Sequence, residues 1–189
     1  MRLKDKAIIV TGATSGIGRA IAEAAVREGA KVLVHGINEE EGKAVVAKLG
    51  SSTQLCIADL ADNAAPAKIV AAAINAFGRI DGLVNNAAIV ARSNLAELTP
   101  GELERLLQVN LKAPLFLIQA AYEHLKAARG SVLNIGSVNA YAGESSLLAY
   151  SISKGAMATM TRNLANAHGV HGIRINQINP GWVLTERED

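Results

Sequence analysis

The sequence predicts an α/β domain of three layers, a doubly wound parallel sheet with helices on both faces, and three observations predict it. Short runs that are apolar on both faces alternate with stretches whose apolar residues recur at three and four. A glycine-rich turn follows the first of these runs directly. Half of the 189 residues are hydrophobic and only 3% aromatic, so the core must be built from Ala, Val, Ile and Leu, a composition suited to close packing of helices on a sheet.

Residues Ala7 to Val10 form the first apolar run, and Thr11-Gly12-Ala13-Thr14-Ser15-Gly16-Ile17-Gly18 follows it. Ile17, Ala20, Ile21, Ala24 and Ala25 then mark one face of a helix over 16–28. The unit repeats: strand 31–35, helix 39–49, strand 54–58, helix 63–77 and strand 81–85. A long helix is predicted over 100–126 despite Pro114, followed by strand 131–136, helix 150–168 and strand 173–178. With no linker, repeat or low-complexity stretch, residues 1–189 read as one domain.

Composition excludes several classes. A formal net charge of +2 with scattered Lys and Arg gives no footprint for nucleic acid or a membrane surface. The single cysteine, Cys56, rules out an internal disulfide and sits in an apolar run, as a buried structural thiol does. The N-terminus leads straight into a strand with no long apolar segment, so a cytoplasmic protein is expected. No cluster of metal-ligating residues stands out.

The glycine turn reads in two ways. Residues without Cβ permit a tight connection, and they also let a phosphate approach a helix N-terminus, where unpaired N–H groups favour negative charge. Its spacing is Gly-x-x-x-Gly-x-Gly rather than Gly-x-Gly-x-x-Gly, and its place after the first strand favours nucleotide binding. A second stretch, Tyr150-Ser151-Ile152-Ser153-Lys154, stands thirteen residues after Ser137. On a helix Tyr150 and Lys154 share a face, and a nearby ammonium favours a phenolate, so the pair could move protons. Alone, the same spacing also describes an ordinary solvated helix face.

Taken together, these motifs resemble the short-chain dehydrogenase/reductase (SDR) family, whose fold is a Rossmann-like doubly wound parallel sheet, and the likeness spans nearly the whole chain. Asp59-Leu60 is similar to the family's adenine-binding pair, and Asn85-Asn86-Ala87-Ala88 to its Asn-Asn-Ala-Gly motif, with Ala88 in place of glycine. The resemblance implies an oxidoreductase that moves a hydride between NAD or NADP and a small carbonyl or alcohol: a ketone, sugar, polyol or β-keto acyl group. It implies Asn110, Ser137, Tyr150 and Lys154 as the catalytic set, with Tyr150 as general acid/base, Lys154 tuning it and holding the ribose, Ser137 on the substrate oxygen, and Asn110 anchoring a water. Cofactor contacts are implied for Gly12, Thr14, Ser15, Gly16, Ile17, Gly18, Asp59, Leu60, Asn86, Ala87, Tyr150 and Lys154. Pro180, Gly181, Val183 and Thr185 would close over the nicotinamide.

Ile89, Arg92, Asn139, Glu144 and Trp182 are the implied substrate-pocket residues, with Arg92 and Glu144 reading equally well as solvated loop charges. The end of the second strand, His35-Gly36-Ile37-Asn38, carries neither the carboxylate of an NAD site nor the cation of an NADP site, which leaves both cofactors open. The 100–126 and 150–168 helices imply a homodimer, with a tetramer possible. Family members continue beyond the point matching Asp189 into a seventh strand, so the resemblance implies a truncated chain with the sixth strand as an apolar edge. A catalytically impaired nucleotide-binding or sensor protein of the same fold is the alternative; such a protein would typically have lost the tyrosine or the lysine.

Overall fold

A computed structural model describes residues 1–185; the last positions of the predicted 1–189 domain lie outside it. The strands are β1 (Ala7–Val10), β2 (Lys31–Gly36), β3 (Thr53–Ile57), β4 (Gly82–Asn85), β5 (Ser131–Ile135) and β6 (Arg174–Ile178). The α-helices are α1 (Gly16–Arg27), α2 (Glu39–Leu49), α3 (Ala65–Phe77), α4 (Pro100–Leu107), α5 (Ala113–Ala120), α6 (Tyr122–Ala128) and α7 (Leu148–His168). All pairings are parallel, in the order β3-β2-β1-β4-β5-β6. The predicted strands are all present, with bounds shifted by one residue.

Alternation along the central strands divides the core between the two faces. Ile9, Leu33 and Val132 face a cluster completed by Ile69, Val109, Leu117 and Leu125. Val10, Val32, Val34 and Ile135 face the opposite cluster with Ala22 and Ala25 of α1 and Val45 of α2. Each fully buried aliphatic side chain contributes roughly 1.5–3 kcal/mol of transfer free energy, which holds the helices on the sheet. The strand order reverses at β1, so the crevice between the carboxyl ends of β1 and β4 is the ligand position such a sheet creates.

One prediction is corrected. The 100–126 helix is interrupted by a π-turn over Gln108–Lys112, in which the Ala113 N–H reaches the Gln108 carbonyl, and it breaks again at Ala121. Pro114 has no N–H to give to the Asn110 carbonyl in the α pattern, so the winding opens there. The widened turn carries Asn110, completely buried, toward α7.

Candidate active site

At the switch point, the glycine turn is built on backbone that side chains cannot occupy. Gly12 has φ of +62°, and a Cβ on Gly18 would stand 2.1 Å from the Gly12 carbonyl oxygen. Strand β4 braces the turn. The Asn86 side-chain amide donates to the carbonyls of Thr11 (2.9 Å) and Gly12 (3.2 Å), and the Asn86 and Ala87 N–H groups donate to the Thr11 hydroxyl at 3.0 and 3.1 Å. Thr11 is thus a site residue that the sequence reading quoted without assigning a role.

The start of α1 is unlike those of α2 and α4. Asn38 accepts hydrogen bonds from two amides of α2, and Thr99 closes a capping box on α4, whereas the Ser15 side chain makes no capping bond. The first amides of α1, at Gly16, Ile17 and Gly18, are therefore left without a cap, the arrangement that receives a phosphate. Thr185 arrives from the far end of the chain to lie over the turn, its Cγ2 3.5 Å from where a Gly16 Cβ would be. Thr14 packs on Gly36, and a cleft of about 400 Å³ beside Ser15 has walls of both signs, Arg19 and Lys48 with Glu41. The turn, its uncapped helix and the covering threonine fit a dinucleotide; Pro180, Gly181 and Val183 precede Thr185 outside any strand or helix.

Farther along the crevice, Asp59 is exposed and accepts the Ala61 N–H at 2.9 Å, while Leu60 is buried in the core. His35, considered as a cofactor-facing residue, instead points inward and is buried; Ile37 is the exposed residue at that strand end. Its imidazole accepts from the Gly12 N–H at Nδ1 (3.3 Å) and donates from Nε2 to the Ala58 carbonyl (3.0 Å), a neutral tautomer. Burial lowers its pKa to about 4.

The catalytic candidates converge at the other end. Tyr150 lies in the first turn of α7, and Lys154 one turn on, with Nζ 5.6 Å from the phenol ring centroid. Lys154 is 2% exposed and donates to the Ile135 carbonyl at 2.7 Å, and among the described residues no carboxylate pairs with its charge. Burial lowers its pKa to about 8. The expectation that the ammonium draws the phenol down is corrected: burial raises Tyr150, and the hydrogen bond with Ser137 opposes that rise only in part. Desolvation disfavours the charged form of both groups and is the first cause of both shifts.

Ser137 is buried, its hydroxyl accepting the Asn139 N–H at 3.1 Å. Its flanks are tied to β6: Gly136 N–H donates to the Ile178 carbonyl (2.8 Å) and Val138 N–H to that of Pro180 (3.0 Å). Asn110 spends its side chain on structure. Its Oδ1 takes the Ile89 N–H, and its amide donates to the Ile89 carbonyl, both at 2.9 Å, and to Ser153 Oγ at 3.2 Å. Ser153, a residue the sequence reading passed over inside its own motif, so links the π-turn to α7. Trp182 is 81% exposed, and Glu144 takes the Ser146 N–H and hydroxyl at 3.3 and 3.1 Å while Arg92 donates to that hydroxyl. Asn139 is half-buried beside Ser137. Among the described residues, no group of His, Cys, Asp or Glu is arranged to hold a metal ion, and no helix is long and apolar enough to cross a membrane.

An open parallel sheet with an uncapped glycine turn at its switch point and a Ser–Tyr–Lys cluster across the crevice defines a nucleotide-dependent oxidoreductase. Residues 6–189 match the description of the short chain dehydrogenase family, and the chain belongs to that family. Its members use NAD or NADP, and this chain is an NAD(P)-dependent oxidoreductase. It is 36% identical over 191 residues to a sorbitol dehydrogenase of Cereibacter sphaeroides, covering 100% of this chain and 75% of that protein. It is 37% identical over 189 residues to a 3-alpha-(or 20-beta)-hydroxysteroid dehydrogenase of Mycobacterium bovis, covering 100% and 73%. A 3-ketoacyl-(acyl-carrier-protein) reductase from Brucella melitensis, solved in complex with NADH, superposes with a TM-score of 0.94 at 28% identity, over 97% of this chain and 78% of that one.

Proposed function

We propose that the protein interconverts a secondary alcohol and its carbonyl on a small polar substrate, a sugar, polyol or β-keto acyl group, with Tyr150 as the general acid/base. The observation that carries this reading is the Lys154 ammonium, buried against the Ile135 carbonyl with no carboxylate partner among the described residues, and one helical turn from a half-buried phenol. Bound nicotinamide supplies or accepts the hydride. The residues that would hold it are the α1 amides, Asp59, the Leu60 main chain, Lys154 and the 180–185 segment.

The chain's own groups handle the proton. With its phenol raised by burial, Tyr150 is protonated at neutral pH and ready to donate to a carbonyl oxygen; in the reverse direction it takes the proton back. Ser137 lends that oxygen a second hydrogen bond and fixes its position. Lys154 stabilises the phenolate at the moment the proton leaves, and the first-turn position of Tyr150 adds the positive end of the helix dipole. Since the Asn110 amide donates both protons within the protein, the group left to anchor a water toward Lys154 is the Asn110 carbonyl in the π-turn.

The polyol and ketoacyl substrates named for two of the relatives support the small polar class, as do Asn139 and the Arg92–Ser146–Glu144 contacts at the mouth. The buried, single Cys56 suits a cytoplasmic setting, and exposed Phe116 and Ile152 on α5 and α7 suit a homodimer through those helices. Nicotinamide absorbance with a panel of polyols, aldoses, β-keto thioesters and steroids, each with NAD(H) and NADP(H), tests the reading. Turnover confined to bulky apolar substrates overturns the substrate class.

A further inference from the structure

We propose that His35 is a positioning residue for cofactor binding, a neutral strut that sets the glycine turn and the adenine end of the crevice in register. The proposal rests on the reading of that turn as the cofactor seat.

Three strand ends meet at this one residue. The turn after β1 presents two successive amides toward β2, and His35 takes both: its Nδ1 accepts the Gly12 N–H at 3.3 Å, and its main-chain carbonyl accepts the Ala13 N–H at 2.8 Å. On the other side Nε2 donates to the Ala58 carbonyl at 3.0 Å, immediately before Asp59. The main-chain bond would survive any substitution. The two side-chain bonds would not, and they are the ones that join the phosphate end to the adenine end.

Gly12 needs such a partner. The β1 ladder ends at Val10, so the Gly12 N–H lies beyond it, and in a part-buried place an unpaired N–H is costly. Its carbonyl is held separately by Asn86 at 3.2 Å and lies under Gly18. Tilting the Gly12 peptide moves that carbonyl into the close approach with α1 and shifts the uncapped amides at Gly16 to Gly18. A hydrophobic residue at 35 would fill the space and leave both partners unpaired. Hence a histidine in the otherwise apolar run Val32-Leu33-Val34 answers to hydrogen-bonding geometry rather than to packing.

The two nitrogens can be tested apart, because an asparagine amide reaches about as far as Nδ1 and a glutamine amide about as far as Nε2. The assay is binding of NADH and NADPH followed by nicotinamide fluorescence at pH 8, on protein shown to be folded by its thermal melt. His35→Ala is expected to raise Kd about tenfold, the scale of leaving a part-buried donor unpaired, with kcat at saturating cofactor changed less than twofold. His35→Asn should recover most of the affinity by restoring an acceptor for Gly12, and His35→Gln should recover stability but not affinity. Folded His35→Ala with Kd within twofold of wild type, or equal rescue by Gln and Asn, overturns the proposal. Ser15→Asp, which sets a carboxylate against the uncapped amides at the start of α1, tests the underlying reading: undiminished cofactor binding in that variant removes the cofactor seat itself, whatever His35 does.

Discussion

On the β1 side of the crevice the ligand-facing groups are main-chain amides, whereas on the β5–α7 side they are side chains whose chemistry is set by burial. The first half needs little beyond space. Gly12 and Gly18 keep Cβ atoms away, Thr11 and Asn86 hold the peptide planes, and Ser15 declines to cap α1. The second half concentrates buried polar atoms: Asn110, Ser137, Ser153 and Lys154 are each under a tenth exposed. A backbone seat is cheap in stability and general in what it holds, while an amine buried against a carbonyl opposes folding. Binding and chemistry therefore carry separate penalties, and mutations should separate them.

The largest effect is expected from Tyr150→Phe. It removes one hydroxyl from the side-chain half and touches nothing in the backbone half, so turnover should fall about a thousandfold, the range of a lost general acid, while cofactor Kd stays within about twofold. Stopped-flow single turnovers alongside fluorescence titration measure both. Equal losses in binding and turnover would break the division between the halves.

Next comes Lys154→Met, in which stability and activity should move in opposite directions. The native pKa of about 8 lies below the ordinary lysine value of about 10.5, so between them the unfolded chain holds a proton that the native protein gives up. Wild-type stability therefore rises with pH between about 8 and 10.5, by at most roughly 3 kcal/mol, and is insensitive to this group below 8. The methionine variant should melt higher than wild type at pH 7, with the gap narrowing toward pH 10, and be inactive throughout. A gap that does not change with pH would mean that the amine is not desolvated as its burial indicates.

Gly18→Ala addresses the other half. The added Cβ would meet the Gly12 carbonyl oxygen at 2.1 Å, and backbone must move to admit it. Overpacking of this kind costs about 1–3 kcal/mol, which should appear as a cofactor Kd weakened about tenfold or more, with kcat at saturating cofactor much less affected. Isothermal titration against both cofactors measures it.

These halves were not equally legible in the sequence. The glycine spacing could be read because a missing Cβ is a property of residue type, and the succession of strands and helices followed from apolar runs of strand length alternating with helical periodicity, though not the order of the strands within the sheet. Tyr150 and Lys154 were recognisable by their one-turn spacing. Their ionisation was not, since it depends on how deeply α7 sinks against β5, and no local pattern reports that depth. The π-turn was hinted at by Pro114 inside a helical stretch, yet the register in which the winding opens depends on Asn110 finding Ile89 and Ser153. His35 carried a signal, one polar residue in an apolar strand, but its two partners come from other strands and are distant in sequence.

The smallest effect is expected where neither building material applies. Glu144 is exposed, and its carboxylate is held below the usual range chiefly by the Ser146 backbone N–H, with the Ser146 hydroxyl and Arg92 adding to it. Glu144→Gln keeps the acceptor and removes the charge. If the carboxylate only fastens its own turn, kcat/KM for the best substrate should stay within about threefold, the scale of a surface substitution. The turn is also held independently, by the Ser93–Leu147 bridge and the Ser93 N–H to the Ser146 carbonyl at 3.0 Å. A tenfold or larger loss confined to hydroxylated substrates, with cofactor Kd unchanged, would place Glu144 against the substrate and give the crevice a third component, a charged rim that selects what reaches Tyr150.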